Sequence, residues 1–311
     1  MKKRIVLALG GNALQKNGEV TAEAQKAVAR QIGDVVADLS NKYEIIIAHG
    51  NGPQVGNILL HEEQGNTDKA PAMPLETAVA MSQGQIGYWI SQAIANAFLK
   101  DGHNKKVATV VTQVVVDRDD PAFKNPTKPI GQFYTAEEAK KLAKEKGWTV
   151  KEDAGRGWRR LVPSPKPTDI VERRAILDLL KSGNIVIAAG GGGIPVTRTK
   201  VLKRLKGVDA VINKDFAAEK LAELTKADIF VSVTAVPFAY ANFGEPNQKP
   251  LGKLTKLEAR AHVIAGHFQS GSMLPKVEAA IQFAGKGKVG IITDIDNLEK
   301  ALAGKSGTII S

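Results

Sequence analysis

Three short runs of β-branched and aliphatic residues end in glycines: Ile5 to Leu9 before Gly10, Gly11 and Asn12; Ile45 to Ala48 before His49, Gly50, Asn51 and Gly52; and Ile185 to Ala189 before Gly190, Gly191, Gly192 and Gly193. A continuous apolar run of this length, bounded by turn residues, is the pattern of a parallel strand buried on both faces. Glycine permits positive φ and removes the side chain. Backbone N–H groups can then converge on an anion, helped by the positive end of the following helix. Three such turns point to an open, mostly parallel α/β sheet whose carboxyl edge handles phosphate.

The remaining periodicity agrees. Thr21 to Leu39 has helical spacing at Ala24, Val28, Ile32, Val35, Val36 and Leu39, and a strand follows over Glu44 to Ala48, a βαβ opening. Pro53 starts a helix with Val55, Ile58, Leu59 and Leu60 on its apolar face. The spacing of Val79, Ile86, Trp89, Ile90, Ile94 and Ala97 predicts a long helix over Leu75 to Lys100, suited to packing inside a lobe or across a dimer interface. Val107 to Val116 reads as one strand. Residues 117–167 then hold six of the fourteen prolines and break the alternation, as an inserted lid or subdomain would. Afterwards the pattern predicts a helix over 168–181, the strand from Ile185, a helix from near Phe216 and a strand over 229–234. Helices over 255–265 and 272–284 and strands over 289–293 and 308–310 complete it.

Composition narrows the function. The apolar runs are four to eight residues long, too short to span a membrane, and Met1-Lys2-Lys3-Arg4 leads into a strand, so a cytoplasmic protein is expected. With no cysteine there are no disulfides, thiolate metal sites or cysteine nucleophiles, and five scattered histidines form no metal spacing. A net charge of +11 attracts polyanions, but aromatic residues are only 5% and no nucleic-acid recognition pattern is present, which disfavours nucleic acid as a partner. The P-loop spacing is absent: Gly304-Lys305-Ser306 lacks the earlier glycine, position 299 being Glu299. Gly50 to Gly56 has one residue too many for a dinucleotide fingerprint.

Phosphoryl transfer without a covalent intermediate needs positioned cations. Lys128 sits between Pro126 and Pro129; a solvated lysine on a stiff surface turn is one reading, a phosphate-binding lysine the other. Lys214-Asp215 follows an apolar run, and Asp215 either caps the next helix or pairs with Lys214. Lys276 falls one turn into a helix opened by Ser272 and Pro275, where a cation opposes the macrodipole unless an anion is present. Of the basic clusters, only Arg156, Arg159 and Arg160 lie where they could meet substrate.

The strings Ala8 to Ala13, His49 to Gly56, Asn125 to Gly131, Glu152 to Arg159, Gly190 to Pro195, Lys214 to Phe216 and Gly271 to Lys276 together resemble the carbamate kinases, in order and across nearly the whole chain. The resemblance implies the open αβα sandwich of the amino acid kinase fold family. It implies an N-terminal lobe over 1–183 for carbamate or carbamoyl phosphate, carrying the protruding subdomain 117–167, and a nucleotide-binding lobe over 184–311. Related kinases place a lysine in the first glycine turn, where this chain has Asn12; the resemblance transfers that part to Lys128. It further implies that Lys214 and Lys276 contact the ATP phosphates and the transferring group and that Asp215 holds the lysines. Gly10, Gly11, Asn12, Gly50, Asn51 and Gly52 would cradle the acceptor. Gly190, Gly191, Gly192, Gly193, Thr234, Ala235, Val236 and Met273 would border the nucleotide. Mg²⁺ carried by ATP or ADP, with no protein ligand, a homodimer, and ATP formation in arginine fermentation complete the implied picture. Asn213, Ala235 and Arg173-Arg174 depart from the pattern. The rival readings are another acid or phosphate kinase of the same fold, and a nucleotide- or nucleic-acid-binding regulator without turnover.

Overall fold

Both faces of the predicted strands are covered by helices. The computed structural model describes residues 2–10, 19, 21–102, 104–153 and 155–311, so Gly11 and Asn12 lie outside the described residues. Lys3–Leu9 runs through the middle of an eight-stranded sheet, between Ile229–Val233 and Tyr43–His49. Ile185–Ile187 and then Val107–Thr109 extend the sheet beyond Tyr43–His49. Val289–Thr293, Thr308–Ile310 and Lys253–Leu254 extend it on the other side. Every pairing is parallel except that of Val289–Thr293 with Thr308–Ile310.

Alternate residues of each strand enter different cores, which is why the runs read as continuously apolar. Val6, Ala8, Ile46, Ala48, Val186 and Phe230 pack with Ala217, Leu221, Val277 and Ala280 from helices Lys214–Leu224 and Leu274–Phe283. Ile5, Leu7, Leu9, Ile45, Ile47 and Val231 pack with Ile32, Val36, Ile86, Ile90 and Ile94 from helices Ala22–Leu39 and Leu75–Lys100. The first of these helices is capped by Thr21, whose hydroxyl accepts from the Ala24 N–H. The long helix buries its apolar face within the lobe, the first of the two uses its spacing allowed.

Two predicted elements are different. The strand over 107–116 is two strands, because Thr112 leaves the sheet: its N–H donates to Gln83 Oε1 at 2.7 Å and its carbonyl accepts from Ile194 N at 2.9 Å. Gln113–Val116 instead enters a four-stranded sheet between Ile194–Arg198 and Pro167–Ile170, with Leu205–Gly207 at its edge. That pairing makes 167–170 a strand, so the helix predicted from Thr168 begins only at Arg173. Tertiary pairing outweighs the local helical spacing here.

Within residues 117–167, expected as an insertion, three strands form a small sheet of their own. Trp158–Val162 is the middle strand of an antiparallel sheet with Lys128–Tyr134 and Thr149–Glu152, accompanied by helix Ala136–Lys146 with a Thr135–Glu138 capping box. The insertion is seated on the body through Ile130 and Val162, which join Val55, Leu75, Ala78, Val79 and Val211 in a small separate core.

Candidate active site

Strand order reverses at Lys3–Leu9: the chain steps one way to Tyr43–His49 and later returns to place Ile229–Val233 on the other side. A crevice outside the carboxyl ends is expected at such a switch point. The Gly10 N–H donates to Val233 O at 3.1 Å and the Gly50 N–H to Leu9 O at 2.9 Å, so both turns sit on adjacent strand ends. At the second turn Asn51 is the N-cap residue, yet its Nδ2 donates to Ser82 Oγ at 2.8 Å. No side chain caps helix Gly52–Gln64, and its first N–H groups and positive end are left for an anion.

Asn213, not Asp215, caps helix Lys214–Leu224; its Oδ1 accepts from the Asp215 N–H at 2.9 Å. The Asp215 carboxylate is thereby freed for the lysines. Its Oδ1 accepts from Lys214 Nζ at 2.9 Å and from Ser232 Oγ at 2.7 Å, and its Oδ2 accepts from Lys276 Nζ at 3.2 Å. The carboxylate is the anion that the position of Lys276 called for. Asp215 and Lys276 are buried, and the Lys214 side chain is 14% exposed.

Burial pushes the Asp215 carboxyl up, but Lys214 and Lys276, with hydrogen bonds from Lys214 and Ser232, outweigh it and hold the group below the ordinary carboxylate range. Burial pulls the Lys214 ammonium below the lysine range against the attraction of Asp215, and Lys276 reinforces that pull. Lys128, the first residue of its strand and half-buried, joins the same field. Burial lowers its pKa, Asp215 opposes the shift, and Lys276 and Arg159 add to it. Two lysines thus bond one carboxylate whose field a third, Lys128, also feels, and the excess positive charge suits the oxygens of a polyphosphate.

The sequence profile of the amino acid kinase family matches residues 3–294. The chain belongs to the amino acid kinase family. A carbamate kinase of Thermococcus kodakarensis is 53% identical over 313 residues, covering 98% of each chain. Carbamate kinase 1 of Enterococcus faecium is 52% identical, covering 96% of this chain and 95% of that one. Carbamate kinase from Giardia lamblia bound to AMP-PNP superposes with a TM-score of 0.92 at 42% identity, covering 99% of this chain and 98% of that one. The αβα sandwich is accordingly that of the family.

Within this family fold, the structure brings together Lys128, Lys214, Asp215 and Lys276, and sets Gly10, Gly50, Asn51 and Gly52 on the neighbouring strand ends. It separates Gly190–Gly193 from Thr234, Ala235 and Val236. The glycine run follows Ile185–Ile187, three strand steps from Ile229–Val233, or roughly 14 Å at the usual spacing. A Cβ on Gly190 would lie 2.4 Å from His49 Nε2, one on Gly191 2.2 Å from Asn51 Nδ2, and one on Gly192 2.1 Å from Ile212 O. Gly191, Gly192 and Gly193 also have positive φ. The run is a close-packed joint between the second turn and the segment leading to Lys214. Thr234 and Val236 are half-buried, Ala235 is exposed and Met273 is half-buried. Of the departures from the family pattern, Asn213 is the cap, and Arg173 ion-pairs with Asp169 at 3.9 Å.

Ser232 is the positioning residue the sequence reading missed; one hydroxyl at the end of the apolar run Ile229 to Val233 was its signal. Gln83 is another. Its Nε2 donates to Thr112 O at 3.1 Å and Gly190 O at 3.0 Å, pinning the glycine run to the long helix. Beside it, burial pulls His49 down to about 4, so the ring is neutral, and its Nδ1 lies 2.9 Å from Gly50 O as donor.

One turn beyond Asp215, buried Glu219 accepts from Gln282 Nε2 at 2.8 Å and ties helix Lys214–Leu224 to helix Leu274–Phe283. Burial raises its pKa to about 7. The folded state then binds more protons than the unfolded state between about 4.3 and that value, so this contribution to stability fades as pH rises through the window. Glu219→Gln should be nearly neutral at pH 4 and stabilise by on the order of 2 kcal/mol at pH 8, as measured by urea unfolding at the two values.

Proposed function

We propose that the chain is a carbamate kinase, transferring a phosphoryl group reversibly between ATP and carbamate, with ADP and carbamoyl phosphate on the other side. The observation that carries this reading is the gathering of Lys128, Lys214 and Lys276, from three separate segments, around Asp215 beside an uncapped glycine turn. The carbamate kinases at about half identity supply the choice of acceptor.

In this reading the carbamate oxygen attacks the γ-phosphorus of ATP in line and the bond to the β-bridging oxygen breaks, leaving its electron pair on ADP. Lys214 and Lys276 neutralise charge on the donor phosphates and the moving group. Lys128 reaches the transferring group from the subdomain, and Asp215 keeps the lysines apart and oriented. Gly10, Gly50, Asn51 and Gly52 hold the acceptor, with Gly11 and Asn12 completing the cradle. Thr234, Ala235, Val236 and Met273 border the nucleotide; Gly190 to Gly193 contribute as the joint beneath the phosphates. Residues 1–183 form the acceptor lobe and residues 184–311 the nucleotide lobe.

Among the described residues no group of three or more His, Cys, Asp or Glu could hold a metal ion, and both Asp215 oxygens are engaged by cations. In this reading Mg²⁺ is carried by the nucleotide phosphates, where it would neutralise oxygen charge. No described helix is long and apolar enough to cross a membrane. A cytoplasmic homodimer that makes ATP in arginine fermentation is the setting this reading favours.

The test is ATP formation from ADP, Mg²⁺ and carbamoyl phosphate, with spontaneous breakdown of carbamoyl phosphate subtracted. Turnover with carbamoyl phosphate, and none in the forward direction with acetylglutamate, aspartate or UMP, is expected. Turnover with one of those acceptors alone would assign the chain to another kinase of the fold. Nucleotide binding without any turnover would leave a regulator.

A further inference from the structure

Among the described residues the protruding subdomain meets the body in charged contacts besides its apolar seat, the most exposed being Asp119 with Lys200 Nζ at 3.9 Å. On one side the Tyr134 hydroxyl donates to Glu63 Oε2 at 3.2 Å and Lys146 Nζ lies 3.5 Å from Glu63 Oε1. Glu63 ends the helix that begins at the second glycine turn. On the other side the Arg160 guanidinium donates to the Asp209 carboxylate. Asp209 stands five residues before Lys214, in the segment whose Val211 N–H donates to Pro163 O at 2.9 Å and whose Val211 side chain joins Ile130 and Val162 in the seat.

The register makes the Arg160 contact local to the chemistry. In the antiparallel pair Lys128 is opposite Val162 and Ile130 is opposite Arg160, so these four residues share one face. Arg160 is held there: its guanidinium lies 4.6 Å from the centre of the Trp148 ring, which Lys146 also approaches at 4.6 Å, and its side chain is 18% exposed. A displacement of Arg160 along the body therefore displaces Lys128 with it.

We infer that Arg160, through its ion pair with Asp209, is a positioning residue that sets Lys128 in register with Lys214 for phosphoryl transfer. Arg160 touches neither substrate in this arrangement; it fixes one cation-bearing segment to another. The planar guanidinium suits the task because it stacks on Trp148 and bonds Asp209 at once, which a lysine cannot do. Asp209 is 57% exposed, so the pair adds little to global stability, and a positioning role can be read apart from folding. The inference rests on the reading of Lys128 as a cation for the transferring group.

The experiment measures kcat and KM for ADP in the ATP-forming direction for Arg160→Gln, Arg160→Lys, Asp209→Asn and Lys128→Ala, with Arg160→Gln repeated in the Asp209→Asn and Lys128→Ala backgrounds. Melting temperature and ADP binding show that each variant is folded. Misplacing a group by about 1 Å costs up to about 10²-fold in rate, so Arg160→Gln should lower kcat by about 10- to 100-fold with KM for ADP nearly unchanged. Arg160→Lys should recover part of the loss. Adding Arg160→Gln to Asp209→Asn, or to Lys128→Ala, should cost little more, since one linkage is broken only once. Parent-like turnover in Arg160→Gln beside a crippled Lys128→Ala would overturn the positioning role and leave the catalytic reading intact. Losses that multiply in the double variants would do the same. A parent-like Lys128→Ala would instead overturn the catalytic reading, and the strap with it.

Discussion

Asp215→Ala is expected to abolish phosphoryl transfer and to weaken the fold together. The carboxylate is buried and accepts from Lys214, Lys276 and Ser232. Removing one partner of a buried ionic group leaves its counter-charges uncompensated, a loss of about 3–5 kcal/mol. Here two ammonium groups would be left without their anion. They would repel each other, and the lysines would turn away from the positions from which they meet phosphate. Loss of preorganised electrostatic stabilisation costs about 10²–10³-fold per group, and Asp215 holds two such groups, so a fall of at least 10³-fold in kcat is expected. Asp215→Asn separates the two effects. It keeps the shape and an acceptor oxygen, so stability to urea should recover in part while turnover stays low. An Asn variant that turned over like the parent would show that the carboxylate charge is not required.

Lys128→Ala should give the opposite balance, a large loss of rate with little loss of stability. Burial disfavours the Lys128 ammonium, and Lys276 and Arg159 repel it; Asp215 alone offsets these. Truncation therefore removes an electrostatically costly group as well as its packing, and the melting temperature should move by only a degree or two, about 1 kcal/mol. Turnover should fall by about 10²–10³-fold, because in the proposed reaction the lost cation meets the moving phosphoryl group. Steady-state rates and thermal unfolding on the same preparations check both halves. A variant that lost stability but kept its rate would make Lys128 a structural lysine of a proline-rich turn.

What could be read in the residues, and what could not, follows the range of the forces involved. The three apolar runs ending at Leu9, Ala48 and Ala189 announced buried parallel strands, because burial on both faces leaves no alternation to confuse. Lys276 announced an anion, because a cation in a first helical turn has to be compensated. The compensating group turned out to be Asp215, 61 residues away in sequence, and no local pattern encodes such a pairing. Pro167 to Ile170 reads as the start of a helix until Gln113–Val116 claims it for a sheet. Ser232 was visible only as one hydroxyl in an apolar strand. The four glycines from Gly190 read as a phosphate nest, and the packing that also demands glycine there, with His49, Asn51 and Ile212 in the space side chains would need, could not be read from them.

That packed run also decides where motion can occur. Gly190 and Gly191 pack against the His49 and Asn51 side chains and Gly192 against the Ile212 backbone, so the run ties the second turn closely to the segment that leads to Lys214. The insertion is held by the small apolar seat around Val162 and by charged contacts at its rims. Close packing in the run and the small seat under the insertion predict slow amide exchange across Gly190–Gly193 beside faster exchange in 117–167.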